Sequence, residues 1–247
     1  SWELGLNMKF LKSTVNLDVT LYRSNTYHQT IYGKTSTSSL YSEQIVQSGN
    51  VQNQGIELSL GYRNTFGKIG VSSVLTYTLN QNKIKELSKA SVNQQGIPEI
   101  QKAYLGASSV APQVILREGG TMSDIYIKHE LKRDPNGSIA IDPSSGNLSM
   151  QEMGQRKAGH LAPNYNMGWN NSISYQGLTL GFVLSARVGG LAYSATQGIL
   201  DYYGGSKATA DARDNGGVPV NFGKVDAKKY YQTIATAEGG YGSYYLY

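Results

Sequence analysis

Thr14–Tyr22 reads TVNLDVTLY, and its side chains alternate without a break. Val15, Leu17, Val19 and Leu21 fall on one row; Asn16, Asp18, Thr20 and Tyr22 fall on the other. Successive side chains of a strand point to opposite faces, so this segment makes a strand with one apolar face and one wet face. Five more stretches repeat the pattern: Trp2–Lys12, Gly55–Arg63, Lys68–Gln81, Asn164–Gln176 and Leu178–Gly189. Most are long enough to cross a bilayer at a tilt. Working outward, the joints around Lys12–Ser13, Asn64–Lys68 and Gln176–Gly177 are tight. The connections His28–Gln54, Asn82–Pro163 and Gly190–Tyr247 are long. Alternating short and long joints between dyad-repeat strands are the signature of a transmembrane antiparallel β-barrel wall.

Orientation follows from the joints. Short turns belong at one membrane face and long loops at the other. Phe10, Tyr62 and Tyr175 then fall near one headgroup layer, and Trp2, Tyr77 and Tyr165 near the other, as two aromatic girdles. The plainer alternative is that Tyr is simply common in strands. The wet row carries Asp18, Glu57, Arg63 and Arg187. These are expected to line a hydrated lumen or to bond a plug.

Composition narrows the chemistry. The chain has 247 residues, a net charge of +5, a mean hydropathy of −0.37 and no cysteine. Absence of cysteine removes disulfide, zinc-thiolate and thiol-nucleophile readings. No apolar run approaches the roughly 18 residues of a spanning helix, so membrane residence would require a barrel. The charge is scattered; Lys83, Lys85 and Lys89 form its densest cluster and read as a solvated loop, not a nucleic-acid surface. No hydrolase triad, P-loop or dinucleotide motif is present, and no catalytic residue, metal site or cofactor is expected. His28, His129 and His160 lie far apart in the chain. Asp134-Pro-Asn-Gly137 sits between strand-like flanks and reads as a hairpin turn, since Asn and Gly tolerate positive φ; a calcium loop would need a ligand pattern that Ser138 and Ile141 break.

Gly49–Tyr62, GNVQNQGIELSLGY, resembles a phrase of the SusC/RagA-type TonB-dependent outer-membrane transporters, in which an Asn-Gly-Ile-Glu-like run opens a strand after an extracellular loop. Upstream, Glu3–Ile31 looks like that family's preceding hairpin. Downstream, Gly159, Pro163, Gly168, Asn171, Tyr175, Gly177, Leu180 and Gly189-Gly190 fall at spacings similar to its late-barrel hairpin. The resemblance implies an all-β fold: about six wall strands of a larger, 22-stranded barrel, with long extracellular loops. Residues 1–247 would be a portion of the barrel domain, its plug and last strands absent. The implied location is the outer membrane of a Gram-negative bacterium. The implied activity is import of oligosaccharides or peptides energised by the TonB complex, with a SusD-like surface lipoprotein as lid. Membrane lipid and the remaining segments of the barrel would be its other neighbours.

The last loop is rich in aromatic residues. Tyr202, Tyr203, Arg213, Tyr230, Tyr231, Tyr241 and Tyr244 are candidates for contact with substrate or partner, and the Tyr230–Tyr245 stretch is the expected anchor for a lid. Packing of the loop on itself is the bland alternative. The rival for the whole chain is a soluble β-rich carbohydrate-binding or adhesion domain, in which the apolar faces would close on each other across a sandwich core.

Overall fold

The computed structural model describes residues 1–34, 40–41, 43–47, 49–87, 98–105, 111–142, 147–235 and 245–247. Its strands are β1 (Trp2–Phe10), β2 (Val15–Tyr27), β3 (Thr30–Lys34), β4 (Glu43–Gln47), β5 (Asn50–Phe66), β6 (Ile69–Glu86), β7 (Glu99–Tyr104), β8 (Gln113–Arg117), β9 (Asp124–Leu131), β10 (Met150–His160), β11 (Tyr165–Tyr175), β12 (Leu178–Val188), β13 (Val218–Val220) and β14 (Gly223–Val225). Three helices follow β12: α1 (Ala195–Tyr203), α2 (Lys207–Asp214) and α3 (Ala227–Ala235).

All six expected wall strands form, and they join in one antiparallel meander, β1-β2-β5-β6-β11-β12. The sheet is open, with β1 and β12 at its edges. Register keeps like with like. Leu6 faces Val19, Val19 faces Leu58, Leu58 faces Tyr77 and Tyr77 faces Met167. The apolar residues therefore run as a continuous row across the sheet, and Asn7, Asp18 and Ser59 run as part of the polar one. A slip of one residue at any ladder would invert these faces. Among the described residues no layer covers the apolar row of the edge strands: Leu4 is 65% and Leu184 56% exposed. A sandwich would have buried them, so the soluble-domain reading fails here.

Two polar residues interrupt the apolar row in mid-strand, apart from Asn64 near the turn. Ser73 and Asn171 pair across β6 and β11. Ser73 Oγ donates to Asn171 Oδ1 at 2.7 Å and accepts from Trp169 Nε1 at 2.9 Å, so the three groups satisfy much of one another's bonding where water is scarce. Near the loop end, the Tyr77 and Tyr165 rings stand 5.4 Å apart.

The tight turns carry local strain. Leu11, Lys12 and Ser13 take φ of 49°, 57° and 69° in succession, although none is glycine. The Gln176-Gly177 turn has φ of 44° and 88°, the positive pair that two-residue hairpins require. At Asp134–Ser138 the hairpin turn forms as expected, but only Gly137 has positive φ, at 82°. The Asp134 carboxylate accepts from the backbone N–H of Asn136 and Ser138, both at 2.9 Å. That makes it a turn-stabilising group.

The long connections hold more structure than the sequence reading assigned to them. β5 and β6 run 17 and 18 residues, well past the 11 of β11 and β12. Their extensions carry Val51 and Ile84 on the row that holds Glu57 lower down. A second sheet, β10-β9-β8-β7, packs on that side and closes a core of Ile31, Val51, Ile84, Leu87, Ile100, Val114 and Leu116. Gly119 and Gly120 exchange backbone bonds with Ile84 at 2.8 Å, continuing the β6 edge where β11 has ended. The buried Asp124 holds the adjoining turn: it accepts from Thr121 N at 3.1 Å and Oγ1 at 2.6 Å, and pairs with Lys157 Nζ at 2.7 Å.

Face assignment is testable at one height on one strand. Leu184→Arg puts a charge mid-strand on the apolar row and is expected to cost about 2–4 kcal/mol of barrel stability. Ser185→Arg, its neighbour on the polar row, is expected to cost far less. Urea titration of the full-length barrel in vesicles measures both, and equal losses would overturn the assignment. At the first turn, Lys12→Gly is expected to relieve left-handed strain and raise stability by about 1 kcal/mol in the same titration.

Candidate functional site

Two surfaces carry the polar candidates: the wet row of the wall and the helical cluster beyond β12. On the wall, Asp18 lies opposite Ser59, and Glu57 lies two residues further along β5 on the same row. Asn7 Nδ2 donates to Asp18 Oδ2 at 2.9 Å. Arg63 sits near the turn end of β5, opposite Ser72. Arg187 sits at the loop end of β12, where Nη2 donates to the Leu161 carbonyl at 2.7 Å. All four lie on one row, but only Asp18 and Glu57 are near neighbours. The rest of the row across β6 and β11 is small and uncharged: Ser72, Thr76, Thr78, Gly168, Ser172 and Ser174. Such a surface offers hydrogen-bonding groups and room, with no convergent acid–base set.

Beyond β12, three short helices are each started by a side-chain cap. Ser194 Oγ accepts from Gln197 N at 3.2 Å, Ser206 Oγ from Thr209 N at 3.2 Å, and Asp226 Oδ1 from Lys229 N at 2.9 Å. These are ordinary N-cap residues, and they are the signal that sequence reading passed over. Gly204 closes α1 in the left-handed conformation, with φ of 74°. Tyr230, Tyr231 and Ile234 on α3 then share one face and meet Tyr245 in a second core, with Leu131, Ile139, Leu148, Val218 and Val225 packed around it.

The candidate tyrosines therefore divide. Tyr230 and Tyr231 are 3% and 7% exposed, their rings edge to face at 5.1 Å, and they hold the loop together. Tyr245 is buried with them. The described aromatic residues of the expected anchor stretch are thus interior to their own subdomain. Tyr241 and Tyr244 lie outside the described residues. Tyr202, Tyr203 and Arg213 come together at a cavity of about 320 Å³, with Asp201, Lys228 and Gln232 on its wall. Tyr203 is 81% exposed and meets Tyr202 edge to face at 5.0 Å. Arg213 Nη1 donates to the Gly204 carbonyl at 3.0 Å, and Gln232 Nε2 to the Tyr202 carbonyl at 3.3 Å. Asp201 is buried and accepts from Gln197 Nε2 at 2.8 Å. An exposed aromatic face beside a guanidinium, an ammonium and an amide can stack on a ring and hydrogen-bond around it. Burial raises the Tyr193 phenol above its usual pKa at the edge of the same subdomain. Among the described residues, no group of His, Asp and Glu side chains could hold a metal ion.

The division predicts different phenotypes. Tyr231→Ala is expected to cost about 3–5 kcal/mol of subdomain stability, as for other buried aromatic truncations. Tyr203→Ala is expected to leave stability within about 0.5 kcal/mol. Hydrogen exchange of α3 amides distinguishes them; equal protection in both variants would show that α3 is not packed as described.

Comparison with known proteins places this architecture. Residues 1–113 match the family model for the TonB dependent receptor-like β-barrel. TonB-dependent receptor P3 of Formosa agariphila is 25% identical over 207 residues, which is 76% of this chain and 20% of that protein. The structure of the RagAB peptide transporter superposes with a TM-score of 0.60 at 17% identity, over 84% of this chain and 23% of the matched one. The RagAB peptide importer in its closed-closed state gives 0.58 at 18% identity, over 77% and 21%. This chain thus spans about a fifth of the length of the proteins it matches. The chain is thus an open six-strand meander with an exposed apolar row, similar over residues 1–113 to the TonB dependent receptor-like β-barrel family and over most of its length to the fold of the RagAB transporter's wall.

Proposed function

We propose that this chain forms wall and outer-mouth loops of an outer-membrane importer in a Gram-negative bacterium, working by transport and not by catalysis. The observation that carries the reading is the uncovered apolar row, flanked by aromatic residues and backed by a polar row. Only lipid gives such a face a favourable environment along a whole sheet. Further strands of the same barrel would pair with β1 and β12, and a plug would lie against the row of Asp18 and Glu57. Energy would arrive through TonB acting on that plug.

The cargo would be an oligomeric nutrient, glycan or peptide. The mouth supports this: the cavity at Tyr203 and Arg213 combines a stacking surface with hydrogen-bond donors. Peptide is the class carried by the RagAB transporter whose fold this wall shares. A SusD-like lipoprotein would rest on the folded loops, where the β7–β10 sheet and the α1–α3 cluster offer far more surface than a connecting loop needs.

Uptake by cells expressing the full-length protein tests the reading. Labelled oligopeptides and oligosaccharides of the same size are expected to enter only with TonB present and the proton gradient intact. Tyr203→Ala with Arg213→Ala is expected to raise the half-saturating cargo concentration about tenfold while the lipoprotein still co-purifies. Loss of the lipoprotein with unchanged cargo affinity would make this cavity a lid contact. Uptake indifferent to TonB would overturn the function.

A further inference from the structure

Above the outer girdle the apolar row does not simply end. Leu21, Ile56 and Leu79 give way along the same strands to Arg23, Gln54, Gln81 and Lys83. Two adjoining hollows mark the change. The lower, about 300 Å³, is lined by Trp2, Leu21, Ile56 and Leu79 and roofed by Arg23 and Gln81. The upper, about 690 Å³, shares Arg23, Gln54, Leu79 and Gln81 and adds Lys83, Lys85 and His160. Among the described residues no carboxylate lines the upper hollow. None of the ion pairs among the described residues involves Arg23, Lys83 or Lys85. Glu3 and Glu57, the nearest acids on β1 and β5, belong to the opposite row.

The upper hollow is built, not incidental. The buried Gln52, with its amide oxygen turned toward Arg23, accepts from Nε at 2.6 Å and Nη2 at 2.7 Å. A neutral acceptor fixes the guanidinium, and none of the ion pairs among the described residues neutralises it, although Glu3 and Glu57 line a separate hollow with Arg23 on the polar side. The far wall is pinned as well: Asp124 fixes Thr121, Leu161 N donates to the Ser123 carbonyl at 2.9 Å, and His160 Nδ1 bonds the Ala162 carbonyl at 2.7 Å. A fixed cationic hollow directly above an apolar one matches an amphiphile with an anionic head.

We propose that this pair of hollows binds a phosphate-bearing membrane lipid from the loop-side leaflet. Its chain lies along Leu21, Ile56 and Leu79, and its phosphate sits among Arg23, Lys83 and Lys85. Arginine and lysine near a membrane surface attract anionic headgroups, and the apolar hollow selects a lipid over a soluble anion. The inference rests on the reading that the apolar row faces lipid.

Native mass spectrometry of the delipidated full-length transporter, titrated with bisphosphorylated lipid A, tests it. Diacylglycerol, which carries no phosphate, is the neutral comparison and inorganic phosphate the competitor. The wild type is expected to retain lipid A through dissociation of the micelle. Combined Arg23→Gln, Lys83→Gln and Lys85→Gln is expected to weaken retention roughly one hundredfold. Arg63→Gln, at the turn end of the opposite row, is expected to change nothing. Heat-modifiable electrophoretic migration reports the barrel fold separately, so failure of the barrel reading appears there and not in lipid retention. Should the triple variant not fold, Lys83→Gln alone is expected to weaken retention roughly fivefold. Retention within threefold of wild type in the folded variant would overturn the proposal. Displacement by millimolar inorganic phosphate would overturn it too, making the upper hollow a soluble-anion pocket.

Discussion

Lipid offers no partner to a backbone N–H or C=O, and that single constraint organises this molecule. Every spanning residue of β2, β5, β6 and β11 lies in a ladder with a neighbour on each side, and the registers admit only one bulge, beside Asn50. Once the ladders are fixed, side-chain faces follow automatically from the pleat. The polar row can then vary almost freely, because it meets water or other protein. The apolar row cannot, and its two mid-strand departures, Ser73 and Asn171, bond to each other.

The wall was legible in the sequence for the same reason. A strict period of two over Thr14–Tyr22 and its five counterparts specifies both strand and face, and tight joints at Lys12–Ser13 and Gln176–Gly177 specify neighbours. What lay above the membrane was harder to read. The strands β7–β10 are buried on both sides in part, so Val114, Ile115 and Leu116 form a run and not an alternation. The starts of α1, α2 and α3 were marked by Ser194, Ser206 and Asp226, but each helix is under three turns long, too short for an apolar period to assert itself. Tyr230 and Tyr231 looked like surface groups because glycine and polar residues surround them in the chain. Their burial depends on Leu131 and Leu148, which lie far back in the sequence, and no local pattern announces that contact.

Division of labour among the tyrosines follows from the same geometry. Rings at 77 and 165 meet at the loop end of the wall, rings at 230, 231 and 245 fill a core, and rings at 202 and 203 meet solvent beside Arg213. One residue type serves three environments because it joins a large apolar body to one polar tip. Which use applies at each site is set by the partner elements, not by the residue.

The unequal lengths of the strands have a mechanical meaning. β5 and β6 continue about 20 Å beyond the point where an 11-residue strand such as β11 stops. This makes a cantilever of two hydrogen-bonded strands, rooted in the wall and stiffened on one side by the β7–β10 sheet. A force on its tip is not dissipated in a slack connection. It travels down the ladder as shear into β2 and β11, the two strands that flank its root. A load at the loop end is therefore geared directly to the curvature of the wall beneath it.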